Sequence, residues 1–511
     1  MFVCDNNVAG ETTLDPDHLR RRLIQASGVA VLSGALPIAN ALAQARAQSA
    51  QSAGAPLAVR GNERDAVSPV TAKLAEYVSQ TLDRAVPDAA IARTKLHVLD
   101  TMAAMVSGSR LQPGELAARY VDSLGGKPVA TVVGTRLVTS PVNAALANAM
   151  AAHADETDDT NPAGPFHAGC TAVPAALATA ELAERNGVDM LRAVTLAYDI
   201  GARVLQAFGG AGRFPGYVTQ TFVAAAAAAA LLRLDPQRVR YALSYAAQQA
   251  SGLNTWPRDR DHIEKAFDFG GMGARNGVTA ATMVAMGFTG VEDVFNGAAS
   301  AFSTLAEKPA PEALVADLGT RFEVFNTTIK KWSVGSPLQP VLDSMSALMD
   351  DPAVRAGQIK RIVVDIPTES LAIVDNATIP DLCLQHLVAM IVADGRLTFA
   401  TIHDPARLQD PRVLAFRRLV EIAPNQELQK AIPARKAIVT IETADGRTLR
   451  HRTDTVRGTA GNPMDAQEVQ TKALDLMAPV LGPAQANELL SAVANLERIG
   501  TVLELRPLLQ A

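Results

Sequence analysis

One run of the sequence, FVAAAAAAALLRLD from Phe222 to Asp235, restricts the possible fold more than any other feature. Alanine has the highest helix propensity, and a helix of alanine, valine and leucine is apolar on nearly all sides. Such a helix has to be buried. The chain is 48% hydrophobic but only 4% aromatic, which predicts a core of small and aliphatic side chains on closely packed helices. We therefore expect a mainly α fold.

The rest of the chain divides by its periodicity. Apolar residues recur at helical spacing from about Val70 to Gly319, without strand signals. After Phe322, IKRIVVDIP alternates as a strand, and KAIVTIETADGRTLRHRTDT predicts two strands joined at Asp445-Gly446. Between these strands, DLCLQHLVAMIVADG and PRVLAFRRLVEIA are expected to be helices. We predict a large all-helical domain formed by both chain ends, with an inserted α/β lid domain. The predicted parts are a signal segment at 1–45, the helical domain at 66–325 and 463–511, and the lid at 326–462.

The N-terminal segment has the features of an export signal. Arg20, Arg21 and Arg22 precede a short, weakly apolar run that ends in small residues, which is typical of a twin-arginine signal with cleavage after Ala43. This predicts a periplasmic mature protein, or a cytoplasmic one if the signal does not function. The alternative is an apolar N-terminal helix. The run is too short for a good membrane span, so no stable membrane insertion is expected.

Charge and cysteine content exclude other classes. The net charge is −5 and no long basic run is present, so nucleic acid is not an expected partner. Cys4 would leave with the signal, and Cys170 and Cys383 are too few for a disulfide framework and lack metal-ligand spacing. Whether these two cysteines pair is left open by the sequence.

The segment HADETDDTNPAGPFHAGC, His153 to Cys170, combines four acids with two histidines. A calcium loop would need glycine where Thr160 stands and an acid where Phe166 stands. A zinc-binding helix would need histidines one turn apart, and His153 and His167 are farther apart. The acids also resemble the aspartate-rich motif of prenyl-transferring enzymes, but the required second acid motif is missing. Acid/base chemistry by crowded carboxylates remains, with a solvated acidic loop as the alternative.

Two further segments carry cations. In HIEKAFDFGGMGARNG, the glycines lack the spacing of a phosphate loop, and Gly271, Gly273 and Gly277 are better explained by close helix packing. In NTTIKKWSVGSPLQP, Lys330 and Lys331 lie at the junction of the two predicted domains. Lysines at the mouth of an interdomain cleft suit an acidic substrate, although solvated lysines are the alternative.

Several segments together resemble the MmgE/PrpD family, whose members include 2-methylcitrate dehydratase, cis-aconitate decarboxylase and an iminodisuccinate epimerase. The resemblance extends from about Val70 to Leu505. It rests on LDTMAAMVSGS, the HADETDDT and HAGCTAVPAALATAE block, AAAAAAALLRLD, GVTAATMVAMGFTG, the IKKW junction, DLCLQHLVAMIVADG and GNPMDAQEV. It implies a helical domain with an inserted lid, an active site between them in a homodimer, and acid/base chemistry with neither a metal nor a cofactor.

The family pattern is matched in part. An acid followed by Asp-Asp-Thr corresponds to Glu156, Asp158, Asp159 and Thr160, with Glu156 in place of the usual aspartate. His167 matches the histidine of the following turn, and Lys330 matches the junction lysine. Three histidines of the family pattern are replaced, by Phe214 before Pro215, by Phe269 and by Gln339, and Lys265 is displaced by one position. These departures indicate a subfamily with its own substrate.

The resemblance implies roles for these residues. The family reactions place negative charge on a carbon beside a carboxylate, so proton-transfer groups and cations are needed. The expected catalytic residues are Glu156, Asp158, Thr160 and His167, with Thr160 orienting the others. The expected substrate-binding residues are Lys265, Arg275, Lys330, Lys331 and Ser336. His386 is expected to be structural.

Three functions follow as hypotheses. The first is a lyase that removes water or carbon dioxide from a small di- or tricarboxylic acid resembling 2-methylcitrate or cis-aconitate. The second is an epimerase or isomerase of a related polycarboxylate or imino acid, and the third is a periplasmic carboxylate-binding protein on a catalytically weakened scaffold. The expected partners are a small polycarboxylate and a second copy of the chain.

Overall fold

Helices make up most of the structure, as the predicted mainly α fold requires. The computed structural model describes residues 66–164, 166–210 and 216–511. The predicted signal segment at 1–45, with its three arginines, lies outside these residues, as do Phe214 and Pro215. The first part of the chain contains α1 Pro69–Ser79, α2 Asp88–Gly108, α3 Gln112–Leu124, β1 Ala130–Thr131, β2 Val138–Thr139, α4 Pro141–Ala152, α5 Gly169–Leu182, α6 Gly187–Ala207, α7 Gln220–Leu231, α8 Pro236–Gln249, α9 Ile263–Ala266, α10 Met272–Ala285 and α11 Ala301–Leu305.

The alanine-rich helix α7 lies inside the helical part. Each of its residues is buried, and it contacts α5, α6, α8 and α10. Alanine methyl groups allow these neighbours to approach closely, and the first core is built around them. The prediction that this helix is buried is confirmed.

Glycines permit the close packing of α10 against α7. A Cβ atom on Gly277 would lie 2.5 Å from the backbone nitrogen of Ala225 and 2.6 Å from the Thr221 carbonyl oxygen. Gly271 and Gly273 likewise face side-chain and backbone atoms of neighbouring helices. The prediction that these glycines serve helix packing is confirmed.

We expect Gly277→Ala to lower the free energy of unfolding by about 1–3 kcal/mol, because the added methyl group meets backbone atoms that cannot move independently. Chemical denaturation monitored by circular dichroism measures this loss. Ala285→Val, which adds carbon to the exposed end of the same helix, is the control and should change stability far less. A tolerated Gly277→Ala would contradict the packing explanation.

The second part of the chain contains a mixed sheet and short helices. Its elements are α12 Gln339–Leu348, α13 Pro352–Arg355, β3 Ile359–Ile366, α14 Leu371–Val374, α15 Leu384–Asp394, α16 Phe399–Ile402, α17 Pro411–Arg417, β4 Val420–Pro424, α18 Gln426–Gln429, β5 Ala437–Thr443 and β6 Thr448–Thr453. The strand order is β4-β3-β5-β6, with β3 and β4 parallel and the other pairs antiparallel. The predicted strand β3 and the hairpin of β5 and β6 at Asp445-Gly446 are confirmed.

Two local predictions were wrong. PRVLAFRRLVEIA was expected to be one helix, but the helix α17 ends at Arg417 and residues 420–424 form β4. Pairing with β3, in which Val364 lies opposite Ile422, outweighs the local helical pattern. The first part of the chain also contains the antiparallel pair β1 and β2, whose two-residue strands are too short to produce a detectable alternation.

The chain returns to the helical part after the sheet. The last helices are α19 Ala466–Leu481, α20 Pro483–Ala494 and α21 Arg506–Leu509, and α19 packs along α2. Val469, Ala473 and Leu476 of α19 belong to the helical core, while the sheet and α12 enclose a second core. Within the described residues, no helix is both long and apolar enough to cross a membrane.

Candidate active site

The acidic segment connects α4 to α5 and lies inside the protein. His153 directly follows α4, and Gly169 begins α5. Asp158 is fully buried, and Glu156 is 4% exposed. The alternative of a solvated acidic loop is therefore wrong. Buried carboxylates are tolerated only when charges or hydrogen bonds compensate them, so their partners define the site.

Asp158 lies between two imidazoles. Its Oδ1 is 3.0 Å from Nδ1 of His153, and its Oδ2 is 3.0 Å from Nδ1 of His167. Burial alone would raise the pKa of Asp158, but the interactions with the His153 and His167 rings and the Lys330 charge hold it well below its ordinary value. Burial lowers the pKa of His167 despite the nearby Asp158 carboxylate. A neutral His167 thus donates from Nδ1 to Asp158, and its Nε2 carries the lone pair.

Glu156 lies between two lysines. The Lys265 ammonium contacts Oε1 of Glu156, and the Lys330 ammonium lies 3.7 Å from Oε2. Lys330 is fully buried, is 3.7 Å from Oδ1 of Asp158, and donates to the backbone carbonyl of Glu156 at 2.7 Å. Burial would raise the pKa of Glu156, but the two lysine charges hold it well below its ordinary value. The structure thus brings four further predicted site residues together with Asp158. They are Glu156, His167, Lys265 and Lys330.

Thr160 contributes through its backbone. Its N–H donates to the Thr328 carbonyl at 3.1 Å, and the Thr328 N–H donates to the Thr160 carbonyl at 2.8 Å. This antiparallel bridge aligns the acidic segment with the strand-like stretch that leads to Lys330. The orienting role predicted for Thr160 remains a prediction for its hydroxyl group.

An unusual turn follows Lys265 in the chain. Between α9 and α10, residues Phe267–Gly271 form a π-helical turn, which accommodates one residue more than an α-helix. Lys265 contacts Glu156 although the family resemblance places it one position away from the lysine of the family pattern.

Aromatic rings line the histidine side of the site. Phe269 stacks on His153 with ring centroids 5.0 Å apart and meets His167 edge-on at 5.3 Å. The Lys265 ammonium lies 4.8 Å from the Trp256 ring centroid. Phe269, which stands where the resemblance expects histidine, therefore contributes an apolar surface at the site.

Gln339 and Asp159 have structural contacts. The Gln339 amide donates to the carbonyls of Trp332 and Val334 and stabilises the turn after Lys330. Asp159 accepts hydrogen bonds from the Tyr198 hydroxyl at 2.6 Å and the Gly169 N–H at 2.9 Å. The Nδ1 atom of His97 also lies 2.7 Å from Asp159. The Asp159 contacts thus join the acidic segment to α2, to α6 and to the start of α5.

Sequence reasoning missed two groups that the sheet-containing part supplies. Nε2 of His403, just after α16, is 3.2 Å from Oδ2 of Asp155. Although burial lowers the pKa of His403, its hydrogen bond to Asp155 and the Asp155 charge raise it to about 9. Asp381 accepts the Glu156 N–H at 3.2 Å, and burial beside Glu156 raises its pKa to about 7. The helical part and the sheet-containing part thus meet at the acidic segment.

Lys472 on α19 is a third missed group. Its ammonium lies 2.6 Å from Oδ1 of Asp100 on α2 and donates to the Thr157 carbonyl at 3.0 Å. No local sequence signal distinguishes Lys472 from an ordinary helix lysine. Only the packing of α19 against α2 brings it to the acidic segment.

Three predicted substrate-binding residues have other contacts in the described part of the chain. Arg275 donates to the Asn276 side chain at 3.0 Å, and its guanidinium lies 5.4 Å from the Phe267 ring centroid. Lys331 lies 4.6 Å from the Trp332 ring centroid, and Ser336 begins a short 3₁₀ turn. Their proposed contacts with a substrate stay predictions.

The site also contains a possible set of metal donors. One atom each from His153, Asp158 and Cys170 lies within 4.8 Å of the others. However, Asp158 already binds two imidazoles, and the nearby Lys330 ammonium opposes a cation. Burial raises the pKa of the Cys170 thiol well above its ordinary value, and the thiol donates to backbone carbonyls. Cys170 and Cys383 are both free thiols. In this arrangement the donors favour protons over a metal ion.

Fold and site together define a mainly α protein with a buried carboxylate, histidine and lysine centre suited to acid/base chemistry. The profile of the MmgE/PrpD N-terminal domain matches residues 72–313, and that of the MmgE/PrpD C-terminal domain matches residues 332–498. The chain therefore belongs to the MmgE/PrpD family.

Curated relatives of the chain are cis-aconitate decarboxylases. The enzyme of Aspergillus terreus is 25% identical over 490 residues, which cover 88% of this chain and 97% of the relative. The human enzyme is 24% identical, over 80% of this chain and 88% of the relative. A cis-aconitate decarboxylase-like protein of Aspergillus oryzae, oryM, is 29% identical over 51% of this chain and 58% of the relative.

Proposed function

We propose that this chain is a lyase that acts on a small di- or tricarboxylic acid, with decarboxylation of a cis-aconitate-like acid as the leading candidate. The observation that carries the proposal is the buried pair of Asp158 and His167 beside the ammonium of Lys330. The names of the relatives, cis-aconitate decarboxylase, support a lyase-type reaction.

Charge balance connects substrate binding with protonation. The lysines Lys265 and Lys330 are offset by the carboxylates of Glu156 and Asp158, so their formal charges sum to zero. A bound polycarboxylate adds negative charge that the lysines alone do not neutralise. This added charge favours protonation of His167, which burial keeps neutral in the free enzyme.

Decarboxylation then needs one proton. The bond between the substrate carbon and the leaving carboxylate breaks, its electron pair stays on the carbon framework, and carbon dioxide departs. Nε2 of the His167 imidazolium transfers a proton to the carbanionic carbon, and Asp158 stabilises the charged ring before the transfer. Lys330 and Lys265 hold the remaining carboxylates and stabilise the negative charge that develops beside them.

The pH dependence separates this reaction from one that needs a base. Burial lowers the pKa of His167. The His167 imidazolium therefore becomes scarce in the free enzyme as the pH rises above this lowered pKa. For decarboxylation we expect kcat/KM to fall about tenfold per pH unit between pH 7 and 8. Proton abstraction by neutral His167, as in dehydration or epimerisation, would instead give a flat profile there.

A substrate panel tests the proposed reaction class. Purified protein is incubated with cis-aconitate, citrate, 2-methylcitrate and malate, and loss of carbon dioxide or water is followed by NMR. The proposal predicts elimination from at least one of these acids, abolished in His167→Ala. Exchange or inversion without elimination would show an isomerase, and binding without any reaction would show a carboxylate-binding protein.

A further inference from the structure

His262 lies at the candidate active site but has no assigned role in the proposed reaction. It directly precedes α9 and is 5% exposed. Its Nδ1 is 4.0 Å from Oε1 of Glu156, and its ring centroid is 5.3 Å from that of His153. The imidazole therefore borders the same space as Glu156, Lys265 and His153.

Both ring nitrogens of His262 are buried and have no hydrogen-bond partner among the described residues. His97 and His403 differ from His262 in this respect, because both nitrogens of each ring lie close to oxygen atoms. Nε2 of His153 is also buried without a partner in the described part of the chain. Buried polar atoms are almost always paired in folded proteins, so unpaired ones in one place indicate a ligand that supplies the missing hydrogen bonds.

The backbone at His262 is held in an unusual conformation. Its φ angle is +59°, in the left-handed region that few residues other than glycine adopt. Such strain persists when the surrounding structure holds the residue in place, and it is frequent at ligand sites. Here it directs an unpaired imidazole toward Glu156.

The ring of His262 is neutral in the free protein. Burial, followed by the adjacent Lys265 charge, lowers its pKa to about 3. A neutral imidazole offers one N–H donor and one acceptor nitrogen. When His153 is neutral and donates from Nδ1 to Asp158, its Nε2 offers a second acceptor. The N–H of His262 suits a carboxylate oxygen, and the two acceptors also suit a hydroxyl group.

We propose that His262, together with Nε2 of His153, forms a hydrogen-bonding subsite for a carboxylate or hydroxyl oxygen of the substrate. The inference rests on the proposed function and names a substrate contact that the family resemblance does not supply. His262 thereby provides an imidazole at a site where Phe269 has replaced an expected one. Since it contacts the substrate directly, His262 affects substrate affinity as well as turnover.

Calorimetric binding of citrate and tricarballylate tests this subsite, because the two acids share a carbon skeleton and differ only in the hydroxyl group. We expect His262→Phe to weaken binding of citrate at least tenfold, because the apolar ring cannot make the hydrogen bonds of the imidazole. Weaker binding of both acids would assign a carboxylate contact, and weaker binding of citrate alone would assign a hydroxyl contact. His262→Asn tolerates a positive φ angle and should show the same loss if His262→Phe folds poorly.

His386→Phe is the matched control, because His386 is also buried, with an Nδ1 that has no hydrogen-bond partner among the described residues, but lies on α15. It should leave both affinities unchanged. Equal affinities of wild type and both His262 variants would overturn the subsite and leave the proposed lyase function intact. Absence of wild-type binding to both acids would also overturn the subsite, whereas the lyase function is tested separately by turnover of the substrate panel.

Discussion

Asp158→Asn is expected to lower kcat/KM for the preferred acid by about 10³–10⁴-fold. The carboxylate accepts hydrogen bonds from Nδ1 of both His153 and His167. An asparagine oxygen can still accept one of these bonds, but it carries no charge to stabilise the His167 imidazolium. The amide group can also force the wrong tautomer on one of the two rings.

Steady-state kinetics of Asp158→Asn should show the loss mainly in kcat, because the substrate carboxylates are held by other groups. Asp365→Asn, a change of the same kind on strand β3, is the control and should keep wild-type kinetics. A variant of Asp158 with more than one tenth of wild-type activity would show that the pair of Asp158 and His167 does not carry the proton transfer.

Lys330→Met is expected to affect both stability and activity. The ammonium is fully buried and compensates Glu156 and Asp158, and it donates to the Glu156 carbonyl. Its removal leaves two buried carboxylates without this cation, a change that typically costs about 3–5 kcal/mol of folding free energy. We expect a clear fall in Tm and loss of measurable turnover. Chemical denaturation and kinetic assays of the same preparation measure the two effects.

The neighbouring lysine provides the control for this experiment. Lys331 is half-buried and lies over the Trp332 ring, so Lys331→Met should change the free energy of unfolding by less than about 1 kcal/mol. Equal stability losses in the two variants would contradict the account of Lys330 as the buried counter-charge. The KM of Lys331→Met also tests the predicted contact of Lys331 with the substrate.

The mainly α fold could be predicted because its signal is local. The alanine run and the helical periodicities require no knowledge of distant contacts. The predicted residues Glu156, Asp158 and His167 could likewise be selected because they stand within one short segment. Lys265 was identified as a cation near closely spaced glycines, and Lys330 as a cation at the junction of the two predicted domains. Only the fold shows that both lysines reach Glu156.

The remaining site groups could not be predicted, because long-range packing places them there. Asp381 is 225 residues from its partner Glu156, and Lys472 is 315 residues from Thr157. The surroundings of His403 resemble an ordinary short helix end, and its pairing with Asp155 depends on the contact between the two parts of the chain. The predicted homodimer and export by the signal segment stay predictions.

The most direct test of the central claim is proton NMR of cis-aconitate with wild-type protein and Asp158→Asn in heavy water. The account predicts that wild type releases carbon dioxide and places one deuterium on the product carbon per turnover, and that Asp158→Asn does neither at a comparable rate. Cis-aconitate that binds to wild type and remains unchanged, or equal deuterium incorporation by both proteins, would contradict it.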